Sequence, residues 1–297
     1  MSELERLIAG GLSATQPLSR LGKNINGYQG ETIDLPSVMR DCFAAATAHG
    51  WTIEQIPVNE KLSLPVFTRG GSIVSTEQST SGDAKPRVYI STGIHGDEPA
   101  GPLALRHLLQ QNQWPANFGL WLCPCLNPGG FALNRRENAQ GLDLNRQYLQ
   151  PQAAETAAHI RWLERQPFFD LCLCLHEDWE AQGFYVYELN PDNRPSLAES
   201  IVLEVGRVCP IDPSALIEGR AASNGIIRPT VDPRDRPQWP EAFYLLTYKT
   251  SLSYTLEAPS DFPLLCRVAA LVVGVSTALN RLESASRSPQ GFAAKPA

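Results

Sequence analysis

The amino-acid sequence predicts an α/β fold: one domain over residues 1–297, built on a mixed, mostly parallel twisted sheet with helices on both faces. Two observations carry that expectation. From residue 87 onward, short apolar runs alternate with helix-patterned stretches, the order that builds a sheet with a parallel core. The 297 residues are 43% hydrophobic and 19% charged, enough to fill one large core, and no Gly- or Ser-rich linker divides them.

Residues 1–85 give the weakest pattern. Within them, 36–50 (PSVMRDCFAAATAHG) reads as a helix stopped by a glycine. Residues 52–58, 64–69 and 72–77 read as short strands, the last two joined by a hairpin turn at Gly70-Gly71, with a polar connection over 79–86. Residues 87–92 (RVYIST) form a buried strand and 100–111 a helix. Residues 118–126 (FGLWLCPCL) form a second apolar strand, in which Pro124 forces an early end or an edge position. The stretch 127–148 is long, polar and Gly-rich; loops of that length in compact chains are usually functional. A helix over 153–165 follows, then an apolar strand over 169–175 that ends at His176. A strand over 184–189 and a helix over 195–208 lead into 210–240, which is rich in Pro, Arg and Asp and reads as irregular. The remainder is a helix over 241–250, a strand over 253–256 ending at Glu257, a long helix over 264–282 and a frayed tail over 283–297.

Lys and Arg number 25 against 31 Asp and Glu, a net charge of −6. No basic surplus exists to neutralise phosphates, which argues against nucleic acid as a partner. The first twenty residues carry acids early and lack the apolar run of a secretory signal. No stretch approaches the ~18 apolar residues of a membrane helix. The expectation is a cytoplasmic chain without a membrane partner. The seven cysteines, an odd number mostly inside apolar runs, read as reduced buried thiols. The C-x-C pairs Cys123/Cys125 and Cys172/Cys174 place two thiols on one face of a strand and do not require a metal.

In open α/β sheets, ligands bind beyond the carboxyl ends of the strands. Three strand ends here carry ionisable residues: Gly93-Ile94-His95-Gly96-Asp97-Glu98, His176-Glu177-Asp178, and Glu257. Of the five histidines, His49 ends a helix, and His107 and His159 sit inside helices. Only His95 and His176 follow buried strands. Two imidazoles and one carboxylate make a three-ligand catalytic zinc site that leaves one position for water. His95 and Glu98, three residues apart, can grip one ion from a single turn; His176 must be delivered by the fold. Asp143, in the polar loop, is a candidate to hold His95 in one tautomer. Glu257 is a candidate base for the attacking water, or else an ordinary carboxylate near the start of the last helix. Arg135, Arg136 and the Asn145-Arg146 pair suit bidentate gripping of a carboxylate. The bland alternative is a solvated loop with surface arginines.

G-x-H-G-D-E at 93–98, N-P-x-G at 127–130, R-x-N-x-x-G-x-D-L-N-R at 136–146, a lone histidine at 176 and T-x-E at 255–257 occur in that order. The set resembles the zinc carboxypeptidase family related to carboxypeptidase A, and most of all its short bacterial cytoplasmic branch, which includes the murein peptide amidases. The resemblance spans about residues 87–259. It implies one Zn²⁺ per chain held by His95, Glu98 and His176, with Asp143 orienting His95. It implies that Asn145 and Arg146 hold the terminal carboxylate of a small peptide substrate, and that Arg136 polarises the scissile carbonyl. Arg135 is a rival for that last role, because the spacing in NRREN permits either. Glu257 would act first as general base and then as acid in hydrolysing an amide bond.

Three departures bear on the substrate. The usual N-P-D-G reads N-P-G-G; Tyr244 and Tyr248 sit too near Glu257 to match the family's flexible tyrosine; and His176 is followed by Glu177-Asp178. A more negative cleft would favour a substrate with a cationic group or free amine. The alternative function is an N-acyl amino acid deacylase resembling succinylglutamate desuccinylase and aspartoacylase, which share H-G-x-E and D-L-N-R-like elements but add a β-rich C-terminal extension. Here about forty residues follow Glu257 and read as a helix and a tail. A third possibility, of a different class, is an inactive protein that binds peptide termini.

Overall fold

The computed structural model describes residues 1–12, 19–23, 31–70, 85–230 and 232–286. Helix α1 (Glu3–Gly10) opens on a capping box between Ser2 and Glu5, an S-x-x-E signal in the stretch that gave the weakest pattern. In α2 (Leu35–Ala48), Asp34 caps the start by accepting from the Ser37 amide, and Gly50 at φ +71 follows the end. Next come β1 (Thr52–Pro57) and β2 (Ser63–Arg69); the strand expected over 72–77, with its turn, lies outside the described residues. The chain continues through β3 (Arg87–Thr92), α3 (Ala100–Gln111), β4 (Gly119–Cys123), α4 (Pro128–Leu133), α5 (Ala154–Glu164), β5 (Leu171–Asp178), β6 (Tyr185–Leu189) and α6 (Ala198–Val205). It ends with β7 (Leu216–Ile217), β8 (Arg220–Ser223), β9 (Ile226–Ile227), α7 (Glu241–Tyr248), β10 (Ser253–Pro259) and α8 (Leu264–Ser286).

The described strands form one mixed sheet in the order β1-β2-β4-β3-β5-β10-β6-β9-β8-β7. Its centre, β4-β3-β5-β10, is parallel throughout. The β1-β2 flank and the β8 hairpins are antiparallel, as is the β10-β6 step. Pro124 ends β4 early, but β4 pairs on both sides and is no edge strand. One face of the sheet, with Val88, Ile90, Leu173 and Leu256, packs under α3, α6 and α8. The other, with Tyr89, Trp121, Cys172 and Cys174, packs against α5 and α7. All seven cysteines are buried.

Four expectations need correction. Helix α8 is long and apolar enough to cross a membrane by length and composition, and here it is mostly buried as the core helix between α3 and α6. It also runs to Ser286, into the expected tail. His176 and Glu257 lie within β5 and β10, not beyond them. In-register pairing (Glu257 with His176, Ala258 with Glu177, Pro259 with Asp178) carries both strands onward together. Finally, 210–240 is not wholly irregular. The two-residue turns Glu218-Gly219 and Asn224-Gly225 have φ of +47/+70 and +51/+72. Positive φ at both central residues is the type I′ hairpin pattern, and it folds β7, β8 and β9 into an extension of the sheet.

Candidate metal centre and its cleft

The glycines of the motifs have a packing reason. A Cβ on Gly96 would fall 2.0 Å from the Gly130 carbonyl carbon, so the G-x-H-G turn can lie on the N-P-x-G turn only as glycine. Asn127 ties the two together. Its Nδ2 donates to the Ile94 and Arg136 carbonyls (3.1 Å each), and its Oδ1 accepts from the Gly130 amide (2.9 Å). This interlock places His95 and Glu98 at the end of β3.

His95, Glu98 and His176 then converge, all three buried, with one donor atom from each within 4.8 Å of the others. His95 Nδ1 lies 2.5 Å from Glu98 Oε1, and His176 Nδ1 lies 3.1 Å from Glu98 Oε2. Two imidazole nitrogens and a carboxylate at the wall of an open cleft suit Zn²⁺ with a free coordination position. Among the described residues, no other cluster of His, Cys, Asp and Glu has this geometry.

Asp143 faces the other side of His95, with Oδ1 3.4 Å from Nε2. Its Oδ2 accepts from Arg136 Nε at 2.9 Å. Burial alone would raise the Asp143 pKa, but His95, Arg136 and Arg146 hold it well below the usual carboxylate range. A carboxylate in this position is one of the acceptors that can fix the tautomer of a histidine ligand. Arg136 reaches the candidate ligands themselves: Nη1 is 3.3 Å from His95 Nδ1 and 3.8 Å from Glu98 Oε1. Arg135 also lines the cleft, and it donates from Nη2 to the Asn138 carbonyl at 2.5 Å.

The acidic pair after His176 splits between the two faces of the sheet. Glu177 points to the α8 side, where its carboxylate accepts from the Ala100 amide at the start of α3 and pairs with Arg267. Arg267 also pairs with Glu31. The Glu177 backbone N–H donates to Glu98 Oε2 at 3.1 Å, so this brace holds a candidate ligand in place. Glu177 is among the residues lining the cleft, but its buried carboxylate is paired with Arg267, so it adds less negative charge there than the sequence alone suggests. Arg267→Met should leave a buried carboxylate uncompensated and destabilise the fold by about 3–5 kcal/mol. An unchanged denaturation midpoint would contradict that. Asp178 does face the cleft; burial raises its pKa to about 6, with Tyr185 Oη donating to it at 3.0 Å.

Glu257 sits beside His176 on the neighbouring strand and shares the cleft with it. Burial raises its pKa well above the carboxylate range; His176 pulls it down, and Glu98, Asp178 and Glu218 push it up. Helix α8 begins only at Leu264, so Glu257 is no helix-start carboxylate.

The cleft encloses about 760 Å³ and includes the three candidate ligands, Arg136, Asn145, Arg146 and Glu257 in its lining. Sequence reasoning missed one wall, formed by Trp179, Tyr187, Glu218 and Arg220. Tyr187 Oη donates to Glu218, and the Arg220 guanidinium lies 5.6 Å over its ring. The Asn224-Gly225 dipeptide was the available signal for that wall. Tyr244 is buried and Tyr248 exposed, and the tyrosine on the cleft wall is Tyr187.

Residues 84–194 match the family model for the succinylglutamate desuccinylase/aspartoacylase catalytic domain. A candidate metallopeptidase from Shewanella denitrificans OS217 superposes with a TM-score of 0.71, covering 85% of this chain and 96% of that one at 20% identity. The chain has a zinc carboxypeptidase-like fold. A metallo-carboxypeptidase from Burkholderia cenocepacia shares this fold with a TM-score of 0.59 at 17% identity, over 85% of this chain and 70% of that one. Carboxypeptidase SOL1 of Arabidopsis thaliana is 30% identical over 102 residues, a stretch that covers 27% of this chain and 21% of that protein. The matched family and these metallopeptidase and carboxypeptidase neighbours are hydrolases by name.

Proposed function

We propose that the chain is a zinc-dependent hydrolase of an amide bond in a peptide or peptide-like substrate, acting in the manner of a carboxypeptidase. The observation that carries this reading is the convergence of His95, Glu98 and His176 with Glu257 of the adjacent strand in one cleft. His95, Glu98 and His176 would hold zinc, which would supply Lewis acidity at the scissile carbonyl and make a proton of the attacking water easier to lose. Glu257 takes that proton and returns it to the leaving amine. Arg136 donates to the oxygen on which negative charge develops, and Asp143 holds both Arg136 and His95 in place. Asn145 and Arg146 grip the substrate's terminal carboxylate and so fix the amide relative to Glu257.

The anchor is tested with paired substrates, a peptide and its C-terminal amide. Arg146→Ala should raise KM for the free peptide about 10- to 100-fold, the cost of losing a hydrogen bond to a charged group. The amidated peptide should lose little. Equal impairment on both would show that Arg146 is not a carboxylate anchor.

A second reading, N-acyl amino acid deacylase, is favoured by the family match over residues 84–194, which include the three candidate ligands and the anchor loop. Both reactions use the same machinery and differ in the acyl group. Specificity constants measured across C-terminal peptides, murein tripeptides and N-acyl amino acids separate the two. The absence of turnover on every member with zinc bound would favour an inactive binder.

A further inference from the structure

We infer that Glu241 is a positioning residue that fixes the side-chain amide of Asn145 so that its NH₂ end, and not its oxygen, is presented to the substrate. The inference rests on the carboxypeptidase reading, in which Asn145 meets a carboxylate.

Helix α7 begins at Glu241, and its first N–H groups need acceptors. The preceding residue is Pro240, which has no side-chain oxygen to cap them. The acceptor comes instead from 96 residues away: the Glu241 N–H donates to Asn145 Oδ1 at 2.8 Å. A backbone N–H can only donate, so the atom it meets must be the amide oxygen. That leaves Asn145 Nδ2 for the cleft, which Asn145 helps to line. Flipped, the same side chain would set an oxygen against a carboxylate.

What holds this cap in place is the Glu241 side chain. It is 1% exposed, and its carboxylate accepts from Tyr89 Oη at 2.7 Å and Ser91 Oγ at 2.8 Å, both on β3. Behind it, Tyr89 Oη lies 3.0 Å from His159 Nε2, and His159 Nδ1 lies 2.8 Å from Tyr148 Oη. No Lys or Arg forms an ion pair with Glu241 among the described ion pairs; burial raises its pKa, and the Tyr89 and Ser91 hydroxyls pull it back. A carboxylate placed there without a cation is costly, and an apolar side chain would fill the space more cheaply. What the carboxylate adds is a two-point hold between the sheet and the start of α7. A polar network satisfied in this way specifies one geometry.

The test measures KM, kcat and zinc content for Glu241→Ala, Glu241→Gln and Tyr89→Phe beside Arg146→Ala, on a peptide and its C-terminal amide. Glu241→Ala should raise KM for the free peptide about tenfold, the cost of one misplaced hydrogen bond to a charged group. Its kcat, its zinc content and its kinetics on the amidated peptide should stay near wild type. Glu241→Gln, which keeps the volume and one acceptor, should recover most of the loss. In an Asn145→Ala background, Glu241→Ala should add no further rise, because the two act through one contact. Should Glu241→Ala fail to fold, Tyr89→Phe loosens the same hold and should show a smaller KM effect confined to the free peptide. If Arg146→Ala discriminates the paired substrates and the Glu241 and Tyr89 variants do not, the inference is overturned and the anchor reading stands. If Arg146→Ala itself fails to discriminate, the anchor reading falls and takes the inference with it.

Discussion

Glu257→Gln should keep zinc bound and substrate affinity near normal while kcat falls by about 10²–10⁴-fold, toward the upper end. Glutamine preserves the volume and the hydrogen-bonding capacity of the side chain but cannot take a proton from water. The same group is needed a second time, to protonate the leaving amine, which is why the larger loss is expected. Its surroundings fit the task. It is in register with the candidate ligand His176 on the neighbouring strand and shares the cleft with it. The competing account makes Glu257 a bystander on β10. That account expects a small change in melting temperature and near-normal turnover. Zinc content, melting temperature and kcat from one preparation decide between them, and a normal kcat would remove Glu257 from the mechanism even with the metal site intact.

Replacing His95 or His176 with Ala should abolish stoichiometric zinc and reduce turnover to background. Each substitution removes one of the three candidate ligands and leaves Glu98, only 5% exposed, facing a partner that has gone. The loss at His95 should be accompanied by release of Asp143 onto Arg136 alone, since Asp143 now bridges the two. Asp143→Ala should act through the same histidine and weaken zinc by the 10–100-fold typical of a lost outer partner. Elemental analysis after exhaustive dialysis measures each effect. Full occupancy in either histidine variant would contradict the ligand assignment.

The strands and helices that place the site were legible because their signals are local. The apolar runs at 87–92 and 118–126 and the helix over 100–111 stand in the structure close to their expected bounds. The candidate ligands were legible because each follows an apolar run, although His176 lies inside β5 and not beyond it, and the fold of β3 and β5 brings the three to one point. What escaped depends on contacts between distant segments. Successive residues of a strand point to opposite faces, so once β5 continues to Asp178 the acidic pair must divide: Glu177 goes to Arg267 on α8, and Asp178 goes to the cleft. An apolar run that stops at Leu175 gives no hint of that continuation. Arg135 and Arg136 are adjacent in sequence and equivalent in type, and only the Asn138 carbonyl and Asp143 tell them apart. Strands β7, β8 and β9 are two to four residues long, too short for any periodicity, although Asn224-Gly225 marked a turn. The cap on α7 comes from a residue 96 positions earlier, beyond the reach of any local pattern.

The most direct measurement is a titration of chelator-stripped protein with zinc, following bound metal and amide hydrolysis together. The account predicts no turnover without metal, and activity that rises linearly and stops at one zinc per chain, with His176→Ala showing neither binding nor recovery. Hydrolysis that persists in metal-free protein, or wild-type recovery in His176→Ala, would contradict it.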